Sequence, residues 1–159
     1  GAIEWKGFDV SIFFQGTARV SLFEEGSTIV PFSSGYKNND GFLRGVMENR
    51  WTVDNPDPNA RYPRTIRPSD ALDNNNTKKS SFWVRNAAFL RLKNAEIGYT
   101  FPKRWMEKMA IQNLRLYVSG VNLLTWAPDV HLFDPDLGSG DGRKYPPTRV
   151  FNVGLNINF

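Results

Sequence analysis

Cysteine is absent from this 159-residue sequence, and histidine occurs only once, as His131. The lack of cysteine excludes a disulfide scaffold, a cysteine zinc site and a thiol nucleophile. The single histidine has no partner for a two-histidine metal site. No phosphate-binding G-x-x-x-x-G-K-[ST] loop, paired carboxylates or serine–histidine–aspartate arrangement stands out. The sequence therefore predicts neither an enzyme nor a bound cofactor.

Long hydrophobic runs are also missing. No stretch of about 18 consecutive apolar residues occurs, which excludes a transmembrane helix. A membrane-spanning β-strand is not excluded, because it needs only about 10 alternating residues. The opening residues, GAIEWKGFDV, lack the basic and apolar regions of a signal peptide. We therefore expect either a cytosolic protein or a part of a longer one.

The net charge of +4 raises nucleic acid as a partner. The basic residues are nevertheless dispersed, and the densest stretch, between Arg61 and Arg91, runs through proline- and asparagine-rich sequence without a helical or strand period. A solvated basic loop explains this pattern better than a nucleic-acid site. The sequence predicts no nucleic-acid partner.

Four segments alternate apolar and polar side chains with a period of two, which is typical of strands with two different faces. They span about residues 5–16, 89–101, 113–122 and 149–159. The last segment is the most regular, because its apolar positions alternate with three asparagines and one glycine without exception. The predicted fold class is all-β, with antiparallel strands.

The connections between these segments are very unequal in length. Residues 17–87 and 123–148 form two long connections, while 102–112 form a short turn. A connection as long as the first is rare in a compact soluble domain, whereas membrane barrels combine short periplasmic turns with long extracellular loops. Aromatic residues also cluster near the predicted strand ends, as they do at membrane interfaces: Trp5, Tyr99, Phe101, Trp105, Trp126, Phe151 and Phe159.

The strand count is too low for a closed barrel. The smallest single-chain barrels have about 8 strands, and an open sheet in lipid would leave unpaired edges. We therefore expect one arc of a larger transmembrane β-barrel. Two alternatives remain: a soluble β-sheet module that binds carbohydrate through its aromatic residues, and a separate subunit of a two-chain barrel.

Several motifs in order along the chain resemble the C-terminal end of SusC/RagA-type TonB-linked outer-membrane transporters. They are FLRLKN, GYTFP, LRLYVSGVNLL, FDPDLGSG and the terminal GLNINF. The segments WKGFDVSIFFQG and NRWTVDNPDPNARYPR are similar to the strand and loop that usually precede them. The resemblance covers about residues 3–159, and its one small departure is Asp136, where the family commonly has glutamate.

The resemblance implies a function and a set of partners. Such transporters resemble barrels of about 22 strands with an N-terminal plug and a TonB box, and they import oligosaccharides or peptides. This chain would then be a multi-pass segment in the cell outer membrane, supplying the last four strands and their outer loops. Its partners would be outer-membrane lipid, the rest of the barrel with its plug, a SusD-like surface lipoprotein, and TonB through the missing N-terminal part.

The end of the last strand resembles the signal that the barrel-insertion machinery reads. That signal is a terminal aromatic residue after alternating apolar ones, here Phe151, Val153, Leu155, Ile157 and Phe159. The same side chains would also simply face lipid. Both roles are compatible, and the resemblance predicts both.

Four aromatic residues in the long connections are candidate contacts to a lipoprotein lid or a ligand: Trp51, Tyr62, Trp83 and Tyr145. Tryptophan and tyrosine dominate interface hot spots. The alternative, which the sequence favours, is that they hold the long loops to each other.

An aspartate-rich segment, FDPDLGSGDG, offers weak metal candidates in Asp134, Asp136 and Asp141. Oxygen-rich loops can bind calcium, but the bidentate glutamate of an EF-hand is missing from the required spacing. A turn stabilised by aspartate side chains and glycine is the favoured interpretation, so the sequence predicts no metal site.

Overall fold

The chain folds into two units, and each unit is built from segments that are separated in the sequence. The structure, a computed structural model, describes residues 1–25, 43–65, 78–106, 110–138 and 144–159. The sheet unit comprises 1–18, 88–127 and 147–159, and the loop unit comprises 19–87 and 128–146. Within the described ranges, no helix has the length and apolar character needed to cross a membrane.

Most of the regular structure is antiparallel β-sheet. The strands in chain order are β1 (Ala2–Trp5), β2 (Phe8–Thr17), β3 (Ser21–Phe23), β4 (Val84–Asn86), β5 (Phe89–Thr100), β6 (Asn113–Trp126) and β7 (Val150–Asn158). The sheet unit has the strand order β1-β2-β5-β6-β7, and β3 pairs with β4 in the loop unit. Two short helices, α1 (Arg44–Glu48) and α2 (Lys103–Met106), complete the described elements together with 3₁₀ turns at Ser81–Trp83 and Pro135–Leu137. The all-β prediction is confirmed.

The predicted strand over residues 5–16 is wrong at its beginning. The structure has a hairpin there, in which β1 pairs with β2 and Trp5 lies opposite Phe8. Lys6 and Gly7 form the turn, with φ angles of 48° and 88°. A left-handed conformation at both central residues is what a two-residue hairpin of right-twisted strands requires. The turn changes the phase of the alternation, because Trp5 and Phe8 lie on the same face although they are three positions apart.

The predicted strand over residues 113–122 is too short, because β6 continues to Trp126. Leu92 lies opposite Leu124, but Asn94 lies opposite Val121, so β6 contains an extra residue between them. Asn122 has a φ of 54° at this bulge. A bulge shifts the alternation by one residue, so a strict period-two pattern ends where the strand itself does not.

The sheet unit is a single layer whose two faces differ in chemistry. Residues that pair across antiparallel strands share a face, and the pairing places almost all apolar positions on one side. This apolar face consists of Ile3, Trp5, Phe8, Val10, Ile12, Phe14, Leu90, Leu92, Ala95, Ile97, Tyr99, Leu114, Leu116, Val118, Leu124, Trp126, Phe151, Val153, Leu155 and Ile157. The polar face carries Asp9, Ser11, Gln15, Asn94, Glu96, Arg115, Ser119, Thr125, Asn152 and Asn156.

The buried apolar residues of the loop unit form two small clusters. One comprises Val46, Tyr62 and Trp83 with Leu132 packed against them. The other comprises Leu22, Ala87 and Val130, with Val20 and Phe133 at its margin. Each cluster joins residues from the two long connections, so these connections pack on each other within the loop unit.

Candidate functional site

The apolar face of the sheet unit is largely open. Val153 is 75% exposed, Phe151 69% and Leu155 55%, and similar side chains continue across all five strands. An uninterrupted apolar surface of this extent is unusual for a soluble monomer, in which large exposed patches mark contacts with other molecules or membranes. The face is therefore suited to contact with another apolar surface or a membrane.

The five residues of the predicted assembly signal all lie on strand β7 or directly after it. Four of them belong to the apolar face, opposite Gly120, Val118, Leu116 and Leu114 of β6. Phe159 follows the end of the strand and is 80% exposed. Their arrangement suits contact with lipid, and recognition by an insertion machinery stays a prediction.

The polar face is organised around an arginine on β6. The Nε–H of Arg115 donates to Oδ1 of Asp9 at 2.9 Å, and its Nη2 donates to both the Asp9 carboxylate and Oε1 of Glu96, the latter at 2.6 Å. The guanidinium also lies 5.0 Å from the centroid of the Tyr117 ring. Three adjacent strands, β2, β5 and β6, are thus joined by charge-assisted hydrogen bonds on one face. The sequence analysis missed this cluster, because Asp9 and Arg115 are 106 positions apart.

Two glycines on the polar face make room for large neighbours. A Cβ atom at Gly98 would lie 2.7 Å from Cζ of Arg115, and one at Gly154 would lie 2.5 Å from Cε1 of Tyr117. Gly154 is the one non-asparagine in the polar alternation of β7, and it lies directly opposite Tyr117. The ring of Tyr117 therefore occupies the space beside Gly154 that a side chain at position 154 would fill.

This packing predicts that Gly154→Val weakens the sheet unit of the full-length protein. Displacing the Tyr117 ring should destabilise the fold by about 1–3 kcal/mol, the usual cost of overpacking. Urea unfolding, followed by the heat-modifiable gel mobility of the folded form, measures the effect. In a Tyr117→Ala background the same valine should cost much less. Equal costs in the two backgrounds would show that the ring and Gly154 are not coupled.

The four candidate loop aromatics separate into two groups. Tyr62 and Trp83 are only 2% and 3% exposed, and their ring centroids lie 6.4 Å apart within the cluster around Val46. Burial raises the pKa of the Tyr62 phenol above its ordinary value. In this structure the two rings are enclosed by the loop unit itself, and their contact with a lid or a ligand stays a prediction.

Trp51 and Tyr145 remain accessible. Trp51 is half-buried and is held next to the cluster, since its backbone N–H donates to the backbone carbonyl of Tyr62 at 2.9 Å. Tyr145 is 83% exposed. Contact of these two rings with a partner stays a prediction.

A buried carboxylate connects the strands and the connections of the loop unit. The side chain of Glu24 is fully buried; it accepts from Nε of Arg85 at 2.8 Å and from Nη2 of Arg61 at 3.1 Å. Arg61 also pairs with Asp129 at 3.6 Å, and the backbone N–H of Asn86 donates to the other Asp129 oxygen at 3.1 Å. A buried charge of this kind is tolerated only when it is paired and hydrogen-bonded. The network therefore determines how the two long connections meet.

The aspartate-rich segment forms a capped turn. Oδ1 of Asp134 accepts from the backbone N–H of Asp136 at 2.9 Å at the start of the 3₁₀ turn Pro135–Leu137. Asp141 lies outside the described residues. Within the described part of the chain, no cluster of three or more potential metal-ligating residues occurs.

We compared the chain with known proteins by sequence and by fold. No family model matches the chain. It is 29% identical to TonB-dependent receptor P3 of Formosa agariphila over 99% of its own length, and equally identical to receptor P26 of the same organism over the same share. The chain is therefore similar to TonB-dependent receptors over nearly its whole length. TonB-dependent receptor SusC of Bacteroides thetaiotaomicron is 31% identical over 50% of the chain, which confirms the resemblance to SusC/RagA-type receptors.

The chain spans only a small part of these receptors: 15% of receptor P3, 16% of receptor P26 and 8% of SusC. Its fold also matches solved structures of the RagAB peptide importer. The closed-closed state superposes with a TM-score of 0.67 at 22% identity, covering 98% of this chain and 16% of that chain. The open-open state gives a TM-score of 0.62 at 25% identity, with the same coverage of both chains. The fold of this chain therefore resembles one segment of those solved structures.

Proposed function

We propose that this chain is an arc of the wall of a TonB-dependent outer-membrane nutrient importer. The observation that carries the proposal is the single-layer sheet with one exposed apolar face and one polar face. In a barrel wall the apolar face contacts lipid and the polar face lines the interior. The homology to TonB-dependent receptors supports this assignment.

The edges of the sheet support an incomplete wall. β1 and β7 are its outermost strands, each with one paired side among the described residues. Unpaired strand edges are not tolerated in hydrocarbon, and only a closed barrel satisfies all backbone groups. We therefore place the remaining strands of a barrel of about 22 strands on either side of this arc.

The strand connections suggest an orientation. The hairpin turn at Lys6–Gly7 lies beside the short turn after β5, because the N–H of Thr100 donates to the Gly7 carbonyl at 2.7 Å. The long connections leave from the other ends of the strands, where Gly16 lies opposite Leu90 and Leu90 lies opposite Trp126. In outer-membrane barrels short turns face the periplasm and long loops face outward. The loop unit would then be extracellular.

The proposed activity is uptake of oligosaccharides or peptides, energised through TonB by the part of the protein that contains the plug. A SusD-like surface lipoprotein would close over the extracellular loops. The family resemblance and the homology to SusC support this partner. The proposal includes both substrate classes, oligosaccharides and peptides.

Membrane behaviour of the full-length protein tests the proposal. Membranes of the native source should release it only with detergent, and the unheated form should migrate differently from the boiled form on a gel, as folded barrels do. A protein that purifies from the cytosol or periplasm without detergent would instead support a soluble carbohydrate-binding module. A native intact mass equal to that of this chain alone would support a separate subunit.

Substitution of the accessible loop aromatics tests the partner. Trp51→Ala and Tyr145→Ala should each reduce co-purification of the SusD-like lipoprotein without lowering the amount of barrel in the membrane. Trp83→Ala is the contrasting variant, because it removes a buried ring and should loosen the loop unit itself. Full co-purification with both Trp51→Ala and Tyr145→Ala would show that these rings do not contribute to binding of the lipoprotein.

A further inference from the structure

A row of aromatic rings lies at the end of the strands that is next to the two short turns. The centroids of Phe8 and Tyr99 lie 4.6 Å apart, and those of Tyr99 and Phe101 lie 5.1 Å apart. Trp105 of α2 extends the row, with its centroid 6.0 Å from that of Phe101. Trp5 lies beside the row, because it is the pairing partner of Phe8. The row therefore begins on the apolar face and continues beyond the strand ends into the short turn.

Cationic side chains lie at the end of this row. Nζ of Lys6 lies 4.8 Å from the centroid of the Trp5 ring, on the side of the apolar face. Lys103 and Arg104 of α2 are exposed and immediately precede Trp105. In the described residues of the two turns (5–8, 101–106 and 110–112), every charged side chain is basic. Glu107 and Lys108, which follow Met106 in the sequence, lie outside the described residues.

We propose that these residues form a binding surface for the headgroup of an anionic phospholipid. The surface, which we call the turn-edge belt, consists of Trp5, Lys6, Phe101, Lys103, Arg104 and Trp105. Tryptophan rings favour the boundary between hydrocarbon and headgroups, because one part of the ring is apolar and the other polar. Cations just beyond the rings then meet the phosphate layer.

Charge complementarity selects the kind of lipid. A zwitterionic headgroup has no net charge to offset three cations, whereas phosphatidylglycerol carries one negative charge on its phosphate. A lysine or arginine beside an anionic membrane surface contributes about 1 kcal/mol, or roughly a fivefold change in affinity. The exposed rings of Trp5 and Trp105 would position the lipid, and the cations would distinguish it.

The inference rests on the proposed membrane function, and native mass spectrometry of the full-length protein tests it. The protein in detergent is offered equal amounts of dioleoylphosphatidylglycerol and dioleoylphosphatidylcholine, and the ratio of bound lipids is measured. The test variant combines Lys6→Gln, Lys103→Gln and Arg104→Gln. The control combines Arg44→Gln, Arg64→Gln and Lys78→Gln, three exposed residues of the loop unit with the same change in charge.

The wild type and the control should prefer phosphatidylglycerol, and the test variant should lose at least about fivefold of that preference. Lys6→Arg with Lys103→Arg should retain it, because the charge is kept. Trp5→Leu with Trp105→Leu should reduce the binding of both lipids. If the triple variant does not fold, the single variants Lys103→Gln and Arg104→Gln should each show part of the loss.

Two results would overturn the lipid site while leaving the proposed function intact. One is a detergent-requiring protein that binds both lipids equally. The other is an equal loss of preference in the test and control variants, which would reflect net charge alone. A wild-type protein that remains soluble without detergent would overturn the proposed function itself.

Discussion

Replacing Leu155 with lysine is expected to lower sharply the amount of folded barrel in the outer membrane. Leu155 lies on the apolar face near the middle of the pairing between β6 and β7, opposite Leu116, and is 55% exposed. A lysine on the lipid face of a barrel costs about 2–4 kcal/mol at the membrane midplane. Heat-modifiable gel mobility and the quantity of protein in outer-membrane fractions measure the result.

The same strand provides the matched control for this substitution. Asn152→Lys adds the same side chain to the polar face of β7, opposite Ser119. Because that face is expected to contact water, Asn152→Lys should leave folding largely intact. Equal folded amounts of the Leu155→Lys variant and the wild type would contradict the lipid-facing assignment. A milder defect is expected for Phe159→Ala, which removes only the terminal aromatic of the predicted assembly signal.

Removal of the buried carboxylate in the loop unit should give the second large effect. Glu24→Ala would leave Arg85 and Arg61, whose side chains are 12% and 26% exposed, without their shared partner. Breaking a buried ion pair by removing one member costs about 3–5 kcal/mol, because the remaining charge stays desolvated. The contact between Arg61 and Asp129 should offset part of this cost.

Hydrogen exchange in the full-length protein distinguishes a local from a global effect. Amides of residues 43–65 and 78–87 should lose protection in Glu24→Ala, while amides of β5 and β6 keep theirs. Glu48→Ala is the control, since Glu48 forms an exposed ion pair with Arg44 at 3.9 Å, and such pairs contribute little. Unchanged protection of the loop unit in Glu24→Ala would show that the network does not hold the connections together.

The buried aromatics bear on how the outer loops could act. Tyr62 and Trp83 support the loop unit from within, so they would influence a partner or ligand only through the loops that they hold in place. Trp51 and Tyr145 are the rings that a partner could reach. Among the four, burial separates a supporting role from a contacting one, and sequence position does not.

Alternation along the strands could be predicted from the sequence because it depends only on the local geometry of a strand. From Phe151 to Ile157, each apolar residue of β7 is two positions from the next, and this spacing alone assigns these residues to one face. Where local geometry departs from the regular strand, prediction fails. The turn at Lys6–Gly7 and the bulge at Asn122 both interrupt the pattern without a change in composition.

By itself, the sequence determined the strand class, the two-faced character of the sheet and the resemblance to TonB-linked receptors. Only the tertiary structure decided which distant residues meet. Arg115 finds Asp9 and Glu96 because β2, β5 and β6 are adjacent, and Glu24 finds Arg61 and Arg85 because the loop connections fold on each other. Alternation is a property of consecutive residues, whereas these ion pairs depend on strand order and chain packing, which no local pattern encodes.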